Sequence, residues 1–313
     1  MNETLLSAVI PVFCLALVGL AIRKCNWLTA EADQSLLRVN INLLLPCLIL
    51  DSTLGNPALG RAGNLLLAPL VGFGTIALGL GLAFALRRLA GPLDERTGRT
   101  FAFSTGMYNY GYVPIPLTIL LFNSDTLGVL FLHNVGVECA LWTIGVMLLT
   151  GHGIGRDWRK IINAPLVAIV VAVVLNFLGV APQIPAVVRT VLHLLADCAI
   201  PMALILVGAT VADHLHEFHS ARGWRVIGVA ALLRLGVLPA LFLLLAKWLP
   251  VSVELKRVIV IQAAMGSAVL PIVLSKHYGG DTATALRVVI GTSALSFITI
   301  PLWIRFGIKF VGL

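Results

Sequence analysis

The chain has 313 residues, of which 59% are apolar and only 12% charged, and its mean hydropathy is +0.99; soluble domains carry about 25% charged residues, so a soluble globular fold is excluded. The net charge of +8 does not point to nucleic acid, because the basic residues lie in short loops between apolar runs rather than on one face or in one tail. Cys14, Cys25, Cys47, Cys139 and Cys198 form no CxxC pair and all but Cys25 fall within apolar runs, which argues against a disulfide or metal framework.

Roughly 20 consecutive apolar residues cross a bilayer core. Cutting the chain at charges, glycines and prolines predicts an all-α polytopic membrane protein of ten transmembrane helices, at 5–22, 36–54, 65–86, 101–122, 127–150, 164–181, 188–211, 224–249, 255–276 and 283–308. The first run follows Met1-Asn2-Glu3, with no basic stretch, and precedes Arg23-Lys24, so it reads as a retained helix rather than a signal peptide. Loops after the odd helices carry Arg23, Lys24, Arg87, Arg88, Arg96, Arg99, Arg156, Arg159, Lys160, Arg222 and Lys276. The opposite loops and nearby helix ends carry fewer: Arg61, Arg189, Lys247, Lys256 and Arg257. This bias predicts a multi-pass protein of the cell membrane, plasma or inner, with both termini non-cytoplasmic.

The chain repeats itself. An offset of 155 residues carries Pro46 onto Pro201, Pro116 onto Pro271 and Gly136 onto Gly291, and Pro11 onto Pro165 to within one residue. The set maps helices 1–5 onto 6–10, dividing the chain into repeats 1–150 and 151–313. Because five is odd, the two halves are inverted in the membrane.

Within each half the fourth helix is interrupted. Helix 4 contains Gly106-Met107-Tyr108-Asn109-Tyr110-Gly111-Tyr112-Val113-Pro114-Ile115-Pro116, and helix 9 contains Gly266-Ser267-Ala268-Val269-Leu270-Pro271. Proline removes a backbone donor and disfavours helix at the residue before it, so both helices are expected to break, at Tyr112 to Pro114 and at Ala268 to Leu270. Unwound backbone at membrane depth needs protein or a watery cavity around it. Two such breaks crossing would form a site faced by half-helix N-termini, suited to an anion. The candidate substrate-binding residues are Asn109, Tyr110, Tyr112, Val113, Pro114, Gly266, Ser267, Val269, Leu270 and Pro271. Asn109 can offer an amide N–H to a carboxylate without burying a charge, or can act as helix–helix glue.

These residues resemble the auxin efflux carrier family, which includes plant carriers of the PIN type and many bacterial permeases. Asn109 through Leu117 is similar to the family's Asn-x-Gly-x-x-x-Ile-Pro-Leu signature, and Ala263-Ala264-Met265 through Pro271, then Lys276-His277-Tyr278-Gly279, to its second crossover segment. Trp158-Arg159-Lys160 with Pro165, Pro201 to Gly208 and Arg234 to Pro239 fit as well, and their order and spacing carry the likeness. The resemblance implies a scaffold domain of helices 1, 2, 6 and 7 and a mobile transport domain of helices 3–5 and 8–10. It further implies a carboxylate-bearing substrate at the crossover, elevator-like alternating access and a homodimer. Two departures argue against auxin itself. Gly60-Arg61-Ala62-Gly63-Asn64 lacks the acid and lysine of the plant carriers near the start of helix 3, and Glu138, four residues before Trp142, stands where they have glutamine. The 151–163 loop also lacks the long cytoplasmic insert of many plant members.

Ionisable residues inside a span are costly, by about 2.5–3.5 kcal/mol on insertion scales. Glu138 in helix 5, Asp197 in helix 7 and Arg234 in helix 8 are therefore coupling or structural candidates. Glu138 suits proton coupling or a structural ion pair with Arg234, and Asp197 suits structural hydrogen bonding. His133 and His193 are lone histidines suited to packing or hydrogen bonding. The run His214-Leu215-His216-Glu217-Phe218-His219 lacks HExxH spacing and reads as a solvated loop, so no metal is expected. Nor is a cofactor. An intramembrane enzyme is disfavoured, since no zincin motif, GxSxG elbow or pair of catalytic aspartates at matched repeat positions is present. The sequence thus points to a secondary transporter of a small organic anion in a lipid bilayer; a channel or transporter-derived sensor of the same fold is the alternative.

Overall fold

The computed structural model describes residues 2–152, 156–214 and 223–313. Leu215–His219 of the histidine run and Arg222 lie outside the described residues. Among those described, the regular elements are all helical and there is no strand.

Helix α1 (Asn2–Lys24) is followed by α2 (Ala30–Val39), which passes through a π turn (Asn40–Leu44) into α3 (Leu45–Thr53). This second run begins earlier than the expected 36–54, because α2 is amphipathic: Glu31 and Asp33 lie in its first turn and Arg38 in its last, so its charges belong to a helix and not to a loop. Next come α4 (Ala62–Leu86), α5 (Glu95–Gly106) and α6 (Pro114–Leu121). Then α7 (Ser124–Ala140) runs through a second π turn (Leu141–Gly145) into α8 (Val146–Thr150). The later elements are α9 (Ala164–Phe177), α10 (Ala186–His214), α11 (Trp224–Leu232), α12 (Leu238–Trp248), α13 (Val253–Ala264), α14 (Leu270–His277) and α15 (Thr282–Val311). A third π turn, Leu233–Val237, joins α11 to α12.

Local chemistry sets several of these boundaries. Asn123, Asn163, Ser252 and Asp281 each accept a hydrogen bond from a backbone N–H in the first turn of α7, α9, α13 and α15. Pro239 cannot donate to the carbonyl four residues back, that of Leu235, and the Trp303 indole donates to that oxygen instead at 2.6 Å. The third π turn is thus tied to α15.

Among the described residues, six runs are long and apolar enough to cross a membrane: Ala30–Thr53, Ala62–Ala90, Ser124–Thr150, Ala186–Asp213, Trp224–Trp248 and Thr282–Val311. Ala164–Phe177 is a shorter apolar helix. The expected fourth and ninth helices are each divided, into pieces of 12 and 8 residues in both cases.

Small residues bring the long helices into backbone contact. A Cβ on Gly208 would stand 1.8 Å from the Ala16 carbonyl oxygen, and one on Gly19 2.0 Å from that of Ile205, so α1 and α10 touch main chain to main chain. Helices α4 and α7 do the same at Gly136, whose Cβ would stand 1.8 Å from Pro69 O, and at Gly72, 2.0 Å from His133 O. The end of α5 is seated on α4 where Gly106 meets Gly79. These contacts fix the frame in which the divided helices lie.

Candidate functional site

The two interruptions meet. Both are longer than the prolines alone require, covering residues 107–113 and 265–269, since the glycine-flanked stretches before the prolines also leave the helix. Asn109 N donates to Gly266 O at 2.8 Å and Ala268 N donates to Met107 O at 2.9 Å, which frames Tyr108 and Ser267 as an isolated antiparallel bridge. Backbone groups that the broken helices cannot satisfy internally are thereby satisfied by each other. Ser267 N is taken by the Thr292 hydroxyl at 3.1 Å, which ties the second break to α15.

One flank of this crossing opens on a cavity of about 510 Å³. Its walls come from α1 (Val12, Phe13, Ala16), α10 (Leu204, Val207, Gly208) and α15 (Ser293, Ser296, Phe297), with the crossing as the fourth side. The lining is mostly apolar. The polar residues along it include Asn109, Thr210, Ser267, Ser293 and Ser296. Ser267 is buried and its hydroxyl has no hydrogen-bond partner among the described residues. The Asn109 side-chain oxygen accepts from Gly111 N at 3.3 Å, and its amide nitrogen makes no hydrogen bond among the described residues.

Val113 and Val269, which immediately precede α6 and α14, both line the cavity, so two helix N-termini border it. The α6 terminus supplies no free backbone N–H in its first turn: Pro114 and Pro116 have none, Ile115 N is bonded to Gly111 O and Leu117 N to Val113 O. An anion there would meet the helix dipole and the Asn109 amide, not a ring of main-chain donors.

Of the ten residues expected to bind substrate, Asn109, Val113, Gly266, Ser267 and Val269 line this cavity, whereas Tyr112, Pro114, Leu270 and Pro271 do not. Tyr110 belongs to the opposite flank. Its hydroxyl donates to Glu138 Oε1 at 2.7 Å, and Trp142 Nε1 donates to Glu138 Oε2 at 2.8 Å. The Tyr110 carbonyl accepts from Asn134 Nδ2 at 2.8 Å. Glu138, Tyr110 and Asn134 border a small void of about 80 Å³ between the crossing, α3 and α9.

The ion pair considered between Glu138 and Arg234 is not formed. The two carboxylate oxygens are taken by Tyr110 and Trp142, and Arg234 lies instead beside the edge-to-face pair of Tyr108 and Phe242, its Cζ 5.2 and 5.3 Å from their ring centres. Asp197 is remote from both flanks: it is exposed on α10, 3.7 Å from His193, which in turn lies 3.0 Å from Asp51. His133 packs at 6.5 Å from the Tyr108 ring. No group of three or more potential metal ligands occurs among the described residues.

The walls supplied by α1, α10 and α15 were not foreseen from the sequence. Apolar and small residues in a span look alike whether they face lipid or a cavity. The glycine spacing of Gly19 and Gly208 was the available signal, since it marks where two helices approach most closely.

A family model described as membrane transport protein matches the chain in two stretches, residues 4–157 and 153–304. Over 310 residues the chain is 28% identical to an uncharacterized transporter of Methanothermobacter thermautotrophicus, covering 96% of this chain and 97% of the relative. An uncharacterized transporter of Methanocaldococcus jannaschii is 24% identical over 306 residues, covering 95% of this chain and 97% of its own length.

Proposed function

Because the chain belongs to the membrane transport protein family, whose members resemble the auxin efflux carriers, we propose that it is a secondary carrier moving a small organic monoanion across the cell membrane. The observation that carries this reading is the cavity beside the zipped breaks: an apolar chamber with a polar edge at Asn109 and Ser267. Its volume of about 510 Å³ lies within the usual range for small-molecule sites. An apolar body with one carboxylate matches such a lining: the body fills the chamber, and the carboxylate meets the Asn109 amide and the N-terminal ends of α6 and α14.

The wider architecture follows the same reading. Ten crossings arise if α1, α9 and the two divided helices are counted with the six long runs, and the matching 12- and 8-residue pieces support two inverted halves, 1–150 and 151–313. The runs containing α1, α3, α9 and α10 form a scaffold, and the rest a transport domain that moves past it as an elevator. The cavity, walled by α1 and α10 on one side and the crossing on the other, lies where these bodies would slide. Glu138 borders the second seam, next to α3 and α9, and is suited to take up a proton in one position and release it in the other. The working unit is a homodimer with both termini non-cytoplasmic.

Uptake of labelled mono- and dicarboxylates into proteoliposomes tests the proposal. A carrier gives saturable flux with counterflow for a subset of monocarboxylates. Flux that rises linearly with concentration and shows no counterflow would instead indicate a channel.

A further inference from the structure

Arg234 is wholly buried, and none of its guanidinium nitrogens has a hydrogen-bond partner among the described residues. The groups nearest it are aromatic: its Cζ lies 5.2 Å from the Tyr108 ring and 5.3 Å from the Phe242 ring. Tyr108 is itself fixed, its hydroxyl 2.8 Å from that of Thr75, with the His133 ring beyond it. No carboxylate lies within ion-pair distance of Arg234 among the described residues, and Glu138 is occupied by Tyr110 and Trp142. Cation–π contact with two rings offsets part of the desolvation cost but satisfies none of the five donors. An isolated charge kept in a membrane interior at such a cost asks for a function.

Its location supplies one. The ring it stands against belongs to Tyr108, the residue bridged to Ser267 and followed in the chain by Asn109. Both Ser267 and Asn109 line the cavity. The guanidinium therefore stands against the ring of a residue whose chain neighbour and whose bridge partner both line the chamber. Helices α5 and α13 also end at this crossing, and their C-termini bring partial negative charge to it. A fixed cation beside them offsets that charge and leaves the N-termini of α6 and α14 to set the sign of the field in the cavity.

We propose that Arg234 is the fixed counter-charge of the crossing, a specificity-determining residue that favours a monoanion over a neutral molecule of the same shape without touching either. The inference rests on the carrier reading above and adds to it the source of charge selection. A unit charge acting over ~10 Å at an effective dielectric of about 20 changes the affinity for an anion on the order of tenfold.

The test compares phenylacetate with phenylacetamide, its neutral isostere, as ligands of the purified full-length protein and of Arg234→Met and Arg234→Lys, with the melting temperature of each unliganded protein measured alongside. The wild-type protein is expected to prefer the acid. Arg234→Met should lose on the order of tenfold of that preference with amide affinity unchanged, while Arg234→Lys retains most of it. Because no partner is orphaned, the unliganded Arg234→Met protein should melt at or above the wild-type temperature. Undiminished acid preference in Arg234→Met would overturn the proposal. So would a melting temperature far below wild type, which would show that the guanidinium holds the fold together. If the wild-type protein binds neither phenylacetate nor any acid of the monocarboxylate screen described above, the carrier reading itself fails, and the inference that rests on it fails with it.

Discussion

Tyr108 and Ser267 stand opposite each other as a non-hydrogen-bonded antiparallel pair, flanked by the Asn109 N to Gly266 O and Ala268 N to Met107 O bonds. In such a pair the Cα atoms are about 4.5 Å apart. That separation is within the range a disulfide spans.

The pairing predicts that Tyr108→Cys with Ser267→Cys, in a background where Cys14, Cys25, Cys47, Cys139 and Cys198 are replaced, forms an intramolecular disulfide on mild oxidation. A shift in electrophoretic mobility after cleavage of an engineered site in the 151–163 loop reads it out: the two halves stay joined until reduced. Halves that separate without reductant would show that the breaks do not meet.

Asn109→Ala should weaken binding of a carboxylate by about ten- to a hundredfold, because a hydrogen bond to a charged group is worth about 1.5–3 kcal/mol. Stability should change little, since the side chain makes only a 3.3 Å contact with Gly111 N. Isothermal titration and a melting curve on the same preparation check both statements. A variant that unfolds while its surviving fraction binds normally would assign Asn109 to helix packing instead.

Glu138→Gln tests proton coupling. The Tyr110 hydroxyl and Trp142 indole both donate to the carboxylate, so glutamine keeps one acceptor for them but cannot exchange a proton. Flux through the variant should stop responding to an imposed pH gradient while substrate exchange continues. An intact pH response would exclude Glu138 as the coupling group. Arg234 does not complicate the experiment, because the two side chains are not paired.

Gly136→Val should destabilise the fold by about 1–3 kcal/mol, as overpacking does where nothing can give way. Even its Cβ would fall 1.8 Å from the Pro69 carbonyl, and that oxygen belongs to the backbone of α4. Chemical denaturation in detergent measures the loss. Unchanged stability would show that α4 and α7 are not in main-chain contact.

Much of this arrangement was legible because proline and glycine act locally. Pro114, Pro116 and Pro271 announce that two helices must be divided, and the shared spacing announces that the divisions correspond. The extent of the breaks was not legible. Residues 107–111 and 265–267 contain no proline, and they leave the helix because each strand finds its backbone partner in the other. Glu138 and Arg234 were visible as costly charges, but their partners were not: periodicity places a residue on a helix and says nothing of the ring or hydroxyl that meets it. The attractive guess of an ion pair was overturned by Tyr110 and Trp142, two donors that together satisfy the carboxylate.

The central claim is that an organic monoanion crosses the membrane by way of the Asn109–Ser267 edge. Its most direct test is counterflow: proteoliposomes preloaded with unlabelled monocarboxylate, diluted into trace labelled substrate, with wild type and Asn109→Ala compared at equal protein density. The account predicts a transient overshoot of label in the wild type and a loss of about tenfold or more in the variant. Equal overshoot in both would place the path elsewhere, and no overshoot in the wild type for any monocarboxylate would contradict the carrier itself.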